Sequence, residues 1–273
     1  MLNKFITKFL FILLLSNIAF AENNNYLRFE PSQFSKNHEV VIEIWNSKEG
    51  LERLNRSQYK NDFYQLANFF QTQINPFYCG VASATIVLNA LNAPKIIKSE
   101  NVDLVTDELL NGGSESYTSY SQDSFLNEKT DKIKDRKIVQ FKNITEKEEF
   151  HNPGLSLDDL AKILKEVYNL KVETTHAKND DQKSIEKFRN SVKKIINDSD
   201  HFIIINLDNK PIGLQTNGHY SPLVAYDEKT DSVLIMEVSY KRPWYWVPLE
   251  HLYKAMNTKD GNKYRGYLII SKN

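Results

Sequence analysis

A thiol, an imidazole, a carboxylate and a carboxamide occur in this chain in an order that suits acyl transfer. Cys79 is the only cysteine, in the run Gln73-Ile-Asn-Pro-Phe-Tyr-Cys79-Gly-Val-Ala-Ser83. A proline-containing loop there hands over to an apolar helical stretch, which puts the thiol at a helix N-terminus. The partial positive charge and unpaired N–H groups of such an end favour a thiolate. A lone cysteine before Val-Ala-Ser-Ala also fits simple burial in a core, so its partners decide. A cysteine nucleophile needs a base, and the base needs an orienting group. Of six histidines, His219 is best placed, because it follows Thr-Asn-Gly218 and begins a strand-like run. Gly218 permits close backbone approach there. With the next hairpin turn centred on Glu228, His219 falls directly opposite Glu237, their Cβ atoms about 5 Å apart on one face. A slip of one residue would send the carboxylate to the other face. Gln73, in the loop before the thiol, is placed to offer its amide to an oxyanion beside the N–H of Cys79.

The elements that must hold these residues follow from apolar spacing and turn signals. Val40 to Trp45 reads as a short strand, 46–50 as a turn, and 50–72 as helical spacing. The helix opening at Cys79 runs to Leu91, and Asn92-Ala-Pro94 ends it. Ser156 is the expected N-cap of a helix, with Asp159 three residues on and Leu160, Ile163, Leu164 and Val167 as its buried face. A strand over Val172–Thr175 and a helix over Lys183–Asn197 follow. From Phe202 the period changes, and Phe202–Leu207, His219–Tyr226, Ser232–Val238 and Tyr264–Ile270 read as strands with short connections, hence antiparallel. The expected architecture is α+β, a helical lobe over about residues 40–200 and a sheet lobe over about 201–273, with the site in the cleft between them. Residues 95–153 are charged, serine-rich and glycine-interrupted, and read as a variable insertion.

The N-terminus stands apart. Lys4 and Lys8 precede the apolar run Phe9–Leu15, and Ala19-Phe20-Ala21 has the form of a signal-peptidase site. Residues 1–21 are therefore expected to be a signal peptide and 22–273 the catalytic domain, exported to the periplasm or secreted, with no membrane association after cleavage. Removing the two lysines turns a net charge of zero, 35 basic against 35 acidic residues, into −2. No basic excess exists to hold nucleic acid or an anionic surface. One cysteine cannot pair within the chain, so an exported thiol must be buried or used. One cysteine and scattered histidines make no closed ligand set, and no metal site or tightly bound cofactor is expected.

Gln73-x5-Cys79-Gly at a helix start, with a distant histidine and an acid carried on a sheet, resembles the papain-like superfamily. The closer resemblance is to the phytochelatin synthases, especially their short bacterial forms. It rests on Trp45-Asn-Ser-x-Glu-Gly50, Gln73-Ile-Asn-x-x-Tyr-Cys-Gly-Val-Ala-Ser83, Val87-Leu-Asn-x-Leu91, Gln122-Asp-x-Phe-x-Asn-Glu-Lys129, Gly154-Leu-x-Leu-Asp-Asp159, Gly218-His-Tyr-Ser-Pro222, and Leu234-Ile-Met-Glu-Val-Ser239 leading to Trp246-Val-Pro248. The resemblance implies a papain-like fold, with Cys79 as acyl-forming nucleophile, His219 as general base, Glu237 as orienting acid and Gln73 as oxyanion donor. It implies glutathione as substrate: the Cys–Gly bond is cleaved, γ-Glu-Cys is held as a thioester, and the acyl group passes to glutathione or to water. Cadmium, zinc or copper would enter as glutathione thiolate, and a homodimer is the assembly to test for. Three features depart from the family pattern. Glu237 stands where the family has aspartate. Asn209-Lys210 stand where it has an arginine. A further arginine is deleted, leaving Tyr240-Lys241-Arg242, with Arg242 the candidate substitute. Gly218 and Tyr220 complete the expected substrate-binding set with Asn209, Lys210 and Arg242. The competing readings are a papain-like peptidase or amidase on another small substrate, and a binding protein that keeps the fold without turnover.

Overall fold

The run His201–Asp208 (HFIIINLD) shows no alternation of apolar and polar residues, the pattern of a strand covered on both faces. The computed structural model describes residues 29–92, 103–105, 117–141, 153–215 and 218–273. The expected signal peptide and much of the expected insertion lie outside the described residues. The helices are α1 (Lys48–Arg56), α2 (Asn61–Ala67), α3 (Cys79–Asn92), α4 (Gln122–Phe125), α5 (Glu128–Asp131), α6 (Arg136–Gln140), α7 (Leu157–Glu166), α8 (Gln182–Ile195) and α9 (Leu249–Met256). The strands are β1 (Glu43–Ile44), β2 (Asp103–Val105), β3 (Tyr117–Ser119), β4 (Leu170–His176), β5 (His201–Asp208), β6 (Gly218–Asp227), β7 (Ser232–Ile235), β8 (Tyr245–Pro248), β9 (Lys259–Asp260), β10 (Lys263–Tyr264) and β11 (Gly266–Lys272).

Seven strands form one antiparallel sheet in the order β1-β8-β7-β6-β5-β11-β4. The α+β class expected from the sequence is what the chain forms. Helices lie on both faces of the sheet, and strands β1 and β4 join it from the first part of the chain. Phe202, Ile204, Val224, Leu234, Leu268 and Ile270 share one core with α3 and α7. Their neighbours Ile203, Ile205, Leu223, Val233 and Tyr267 share the other with α8 and α9. Burial on both sides explains the unbroken apolar run in β5. Helix α9 and strand β8 were not anticipated, because within Tyr245–Met256 a short apolar strand passes directly into a helix with Pro248 alone at the junction.

Helix α3 is buried nearly all round, from Gly80 to Leu91, so it is a core helix with no solvent stripe. Gly80 lies against β6, where a Cβ would make ordinary contact with the Tyr220 ring at 3.4 Å. The helical spacing over 50–72 resolves into two helices, α1 capped by Ser47 and α2. Gly50 is required in α1, because a Cβ would lie 2.1 Å from the Ile44 carbonyl oxygen, and its own carbonyl accepts from Trp246 Nε1 at 3.1 Å. The capping box of α7 forms as expected between Ser156 and Asp159.

The described part of the expected insertion is a buttress. Phe125, Leu126 and Val139 are buried in the same core as α3. Gln122 accepts from Ile74 N at 3.1 Å and donates to Thr72 O at 2.8 Å, while Asn75 Nδ2 donates to Gln140 O at 3.4 Å. These bonds fix the loop that delivers Cys79.

One buried group sits outside this logic. Asp62, in the first turn of α2, is fully buried, and neither carboxyl oxygen has a hydrogen-bond partner. Burial, then the nearby Asp198 carboxylate, raises its carboxyl well above the usual range. A carboxyl raised in the folded state contributes most below its unfolded value near 3.8 and loses that contribution as pH rises through its native value. Relative to Asp62→Asn, the wild type should lose stability to urea as pH rises above about 4; parallel stability curves for the two proteins would show that the carboxyl is not held neutral.

Candidate active site

Cys79 is the first residue of α3, half-buried and not in a disulfide. His219 is the second residue of β6, buried, and its ring lies in hydrogen-bonding reach of the Cys79 thiol. Its Nε2 is bonded to Glu237 Oε1 at 2.6 Å, which leaves Nδ1 as the ring nitrogen for sulfur. Glu237 is wholly buried and also accepts the Ser239 N–H at 2.7 Å. The structure therefore brings Cys79, His219 and Glu237 into one chain of contacts.

The register that joins the last two differs from the expected one. Near the turn Asp227 pairs with Ser232 and Ala225 with Leu234, but beyond a β-bulge Leu223 pairs with Ile235 and Met236 N donates to Pro222 O at 2.9 Å. Extending that second register puts Ser221, not His219, opposite Glu237. His219 is one pair further along and on the same face, a diagonal neighbour that a long side chain can reach. Without the bulge the register would place Glu237 opposite Pro222 and turn it to the other face from His219. The extra methylene of glutamate over aspartate matches this diagonal reach.

The electrostatics follow from burial and proximity. Burial opposes a charged imidazole, but the Glu237 carboxylate and the Cys79 sulfur outweigh it and hold His219 up to about 9. Burial likewise opposes the Glu237 charge, and His219 and then Arg242 keep its carboxyl below the usual range.

The thiol opens into a cleft of about 470 Å³ lined by Pro76, Phe77, Pro153, Gly154, Leu155, Asn206, Asp208, Gly218, Tyr220, Asp260 and Arg265. Gly218 and Tyr220 thus both line the cleft. A Cβ at Gly218 would lie 2.5 Å from the Arg265 guanidinium, so a side chain there would displace the arginine. Asn209 and Lys210 are placed elsewhere. Asn209 is buried and its carbonyl closes the turn after β5, accepting from Leu214 N at 3.1 Å, while Lys210 is exposed on that turn. Neither lines the cleft. Arg242 also fails to reach it, because it is buried with Nη1 3.6 Å from Glu237 Oε2. Its attraction to a buried carboxylate outweighs any pull toward the surface.

Gln73 lies in the loop before the thiol, anchored by its N–H to the Val238 carbonyl at 2.8 Å. Its amide donates to the carbonyls of Asn75 at 2.9 Å and Pro76 at 3.0 Å. In this arrangement the Gln73 amide is turned to its own loop, and the Cys79 N–H stands at the helix end, where an oxyanion donor would be needed.

The cleft's cation is Arg265, which the sequence reading missed. It donates to Asn206 Oδ1 at 3.1 Å and pairs with Asp260 Oδ2 at 3.3 Å. It precedes β11, and the pairing of Gly266 with Asn206, and of Asn206 with Tyr220, carries it to the end of β6 that holds Gly218. The available signal was a lone arginine just before a strand that must pair with β5. Among the described residues, no group of three or more His, Cys, Asp or Glu side chains converges as a metal ligand set, and no helix is long and apolar enough to cross a membrane.

Residues 37–267 match the phytochelatin synthase family. The chain is 32% identical over 215 residues to glutathione gamma-glutamylcysteinyltransferase 1 of Lotus japonicus, an alignment covering 77% of this chain and 36% of that protein. It is 29% identical over 214 residues to glutathione gamma-glutamylcysteinyltransferase 1 of Arabidopsis thaliana, covering 77% and 37%. The chain thus spans little more than a third of the length of these relatives. The crystal structure of xylellain, a cysteine protease from Xylella fastidiosa, aligns at 10% identity with a TM-score of 0.36, over 92% of this chain and 99% of that one, a likeness too low to argue from. The match over residues 37–267, which takes in Cys79, His219, Glu237 and the whole cleft, shows that the chain belongs to the phytochelatin synthase family.

Proposed function

We propose that this chain transfers the γ-Glu-Cys group of glutathione through a thioester on Cys79. The observation that carries the reading is one cleft that holds a thiol backed by a buried His219–Glu237 pair and is lined by Arg265, paired with Asp260, and by Asp208. A γ-glutamyl head group is an amine and a carboxylate on one carbon. Arg265 offers a planar grip for the carboxylate and the two aspartates offer acceptors for the ammonium. The names of the relatives support the same substrate.

In this reading the Cys79 thiolate attacks the carbonyl carbon of the Cys–Gly amide, and the developing oxyanion is met by the Cys79 N–H. The His219 imidazolium gives its proton to the departing glycine nitrogen, so the C–N bond breaks as the C–S bond forms. Neutral His219 then takes a proton from the acceptor as it attacks the thioester. A glutathione amine as acceptor yields the longer peptide; water yields γ-Glu-Cys. Glu237 holds the ring through both halves. Heavy-metal ions enter as thiolates of glutathione, whose soft sulfur suits them, and the Lys4–Ala21 pattern supports action after export.

Cys79→Ser should abolish glycine release from glutathione, followed by mass analysis of products with and without cadmium or zinc. A wild type that releases no glycine at any metal level, yet cleaves an unrelated peptide, would overturn the substrate assignment. Arg265→Met should raise KM for glutathione at least about tenfold with a smaller change in kcat, the pattern for a contact made before and during reaction. An unchanged KM would place the carboxylate elsewhere.

The required protonation states also set stability. His219 is raised from 6.5 to about 9, so its contribution is complete below 6.5 and is lost as pH rises through about 9. Glu237 is lowered from 4.5, so its contribution is present above 4.5 and lost as pH falls through its native value. The stability difference between wild type and Glu237→Gln should therefore peak between 4.5 and 6.5 and shrink toward about 9. A difference in urea unfolding that stays flat up to about pH 9 would mean the ring is not held charged.

A further inference from the structure

The two oxygens of Glu237 face different groups. Oε1 takes His219 Nε2 at 2.6 Å and the Ser239 N–H at 2.7 Å. Oε2 has no hydrogen bond and faces the Arg242 guanidinium, Nη1 3.6 Å away. Arg242 is itself buried, 7% exposed, and its N–H bonds the Ser239 carbonyl at 3.3 Å, closing a short turn onto the carboxylate. An arginine at such depth cannot shed its charge, and burying it is costly unless a counter-charge answers. Glu237 is such a counter-charge. The arrangement is thus imidazole, carboxylate, guanidinium, in a row and out of water.

A buried carboxylate between two cations behaves differently from one with histidine alone. His219 must lose its proton to the leaving group and regain it from the acceptor. With the ring neutral, a carboxylate paired only to it would be an uncompensated charge in an apolar site, driven toward its protonated form by uptake of a proton from solvent. The charge on Arg242 does not vary, so Glu237 stays ionised in both states of the ring and keeps accepting from Nε2–H. The other groups facing Glu237 are the Ser239 N–H and the Tyr245 phenol of β8, which burial and then the carboxylate hold above its ordinary range. Cys79 of α3 faces the ring, not the acid.

We infer that Arg242 is a positioning residue of the site, which acts through Glu237 to keep His219 charged and correctly tautomeric, and so sets how much of Cys79 stands as thiolate near neutral pH. The inference rests on the catalytic reading of Cys79, His219 and Glu237, and assigns Arg242 a task other than substrate binding.

The chain has one cysteine, so iodoacetamide alkylation reports Cys79 alone and needs no substrate. Rates at about pH 6 and about pH 9.5 separate a thiolate that depends on the imidazolium from one that ionises unaided. Arg242→Met, which fills the space of the arginine stem, should slow alkylation at least about tenfold at the lower pH and leave it within about twofold at the higher. Arg242→Lys should keep most of the wild-type rate at the lower pH, because it keeps a cation. In a Glu237→Gln background, Arg242→Met should add little, since the cation then has nothing to act through. Equal slowing at both pH values, or a lysine variant as slow as the methionine one, would make Arg242 a packing residue and overturn the inference. A wild type no faster than free cysteine at the lower pH would overturn the catalytic reading and the inference together. A fast wild type matched by Arg242→Met would overturn the inference alone. Should Arg242→Met not fold, Arg242→Gln carries the same comparison.

Discussion

A carboxylate and an imidazole hydrogen-bonded at 2.6 Å in a site with almost no exposure are the constraint to which the rest of the structure answers. Charges taken out of water must find partners in good geometry, or they neutralise or unfold the site. Here that geometry requires a sheet covered on both faces, so that the strand ends carrying His219 and Glu237 are dry. It also requires a bulge in β6, because the register near the turn would face the two side chains away from each other. The ring then gains enough from the carboxylate and the sulfur to stay charged despite burial.

The nucleophile is fixed by a different kind of support. Helix α3 has no solvent face, so its axis is set by core packing, and its first turn lies against Tyr220 at Gly80. The loop before it has no regular structure; the side chains of Gln122 and Gln73 answer its backbone groups, and its own Asn75 amide donates to the Gln140 carbonyl. Gln73 gives its amide to carbonyls of its own loop and thereby shapes the path to Cys79. A rigid helix end and a loop tied by side-chain amides hold the thiol without relying on the substrate, which is the preorganisation that acyl transfer needs.

What was legible in the sequence, and what was not, divides along physical lines. Helix α3 and the capping box at Ser156 depend on local signals and appear where expected. The meeting of His219 with Glu237 was anticipated from a direct cross-strand pairing. It occurs diagonally, because one bulge restores the face that the true turn would have inverted. Bulges are set by strand twist and by packing on both sides, not by any one residue type, so the contact was readable and its route was not. The placing of Asn209, Lys210 and Arg242 could not be read for a related reason. Their positions in the chain are near the site, but their side chains go where burial and charge send them. Asn209 closes a turn and Lys210 points to water. Arg265 was missed because it is distant in sequence and reaches the cleft only across two strand pairings, β11 to β5 and β5 to β6.

The two arginines of this region show how depth alone separates roles for one residue type. Arg265 lies in the cleft wall, shared between Asn206 and Asp260 at 3.1 and 3.3 Å. Those contacts are long enough to yield to a stronger, bidentate anion, so it suits a ligand that comes and goes. Arg242 lies behind the acid and does not line the cleft, and its charge faces Glu237. Exchanging their environments would defeat both, since a mobile arginine cannot hold the carboxylate ionised and a locked one cannot bind a substrate. The two cations thus stand at opposite ends of the Cys79–His219–Glu237 row, one open to the cleft and one closed in behind the acid.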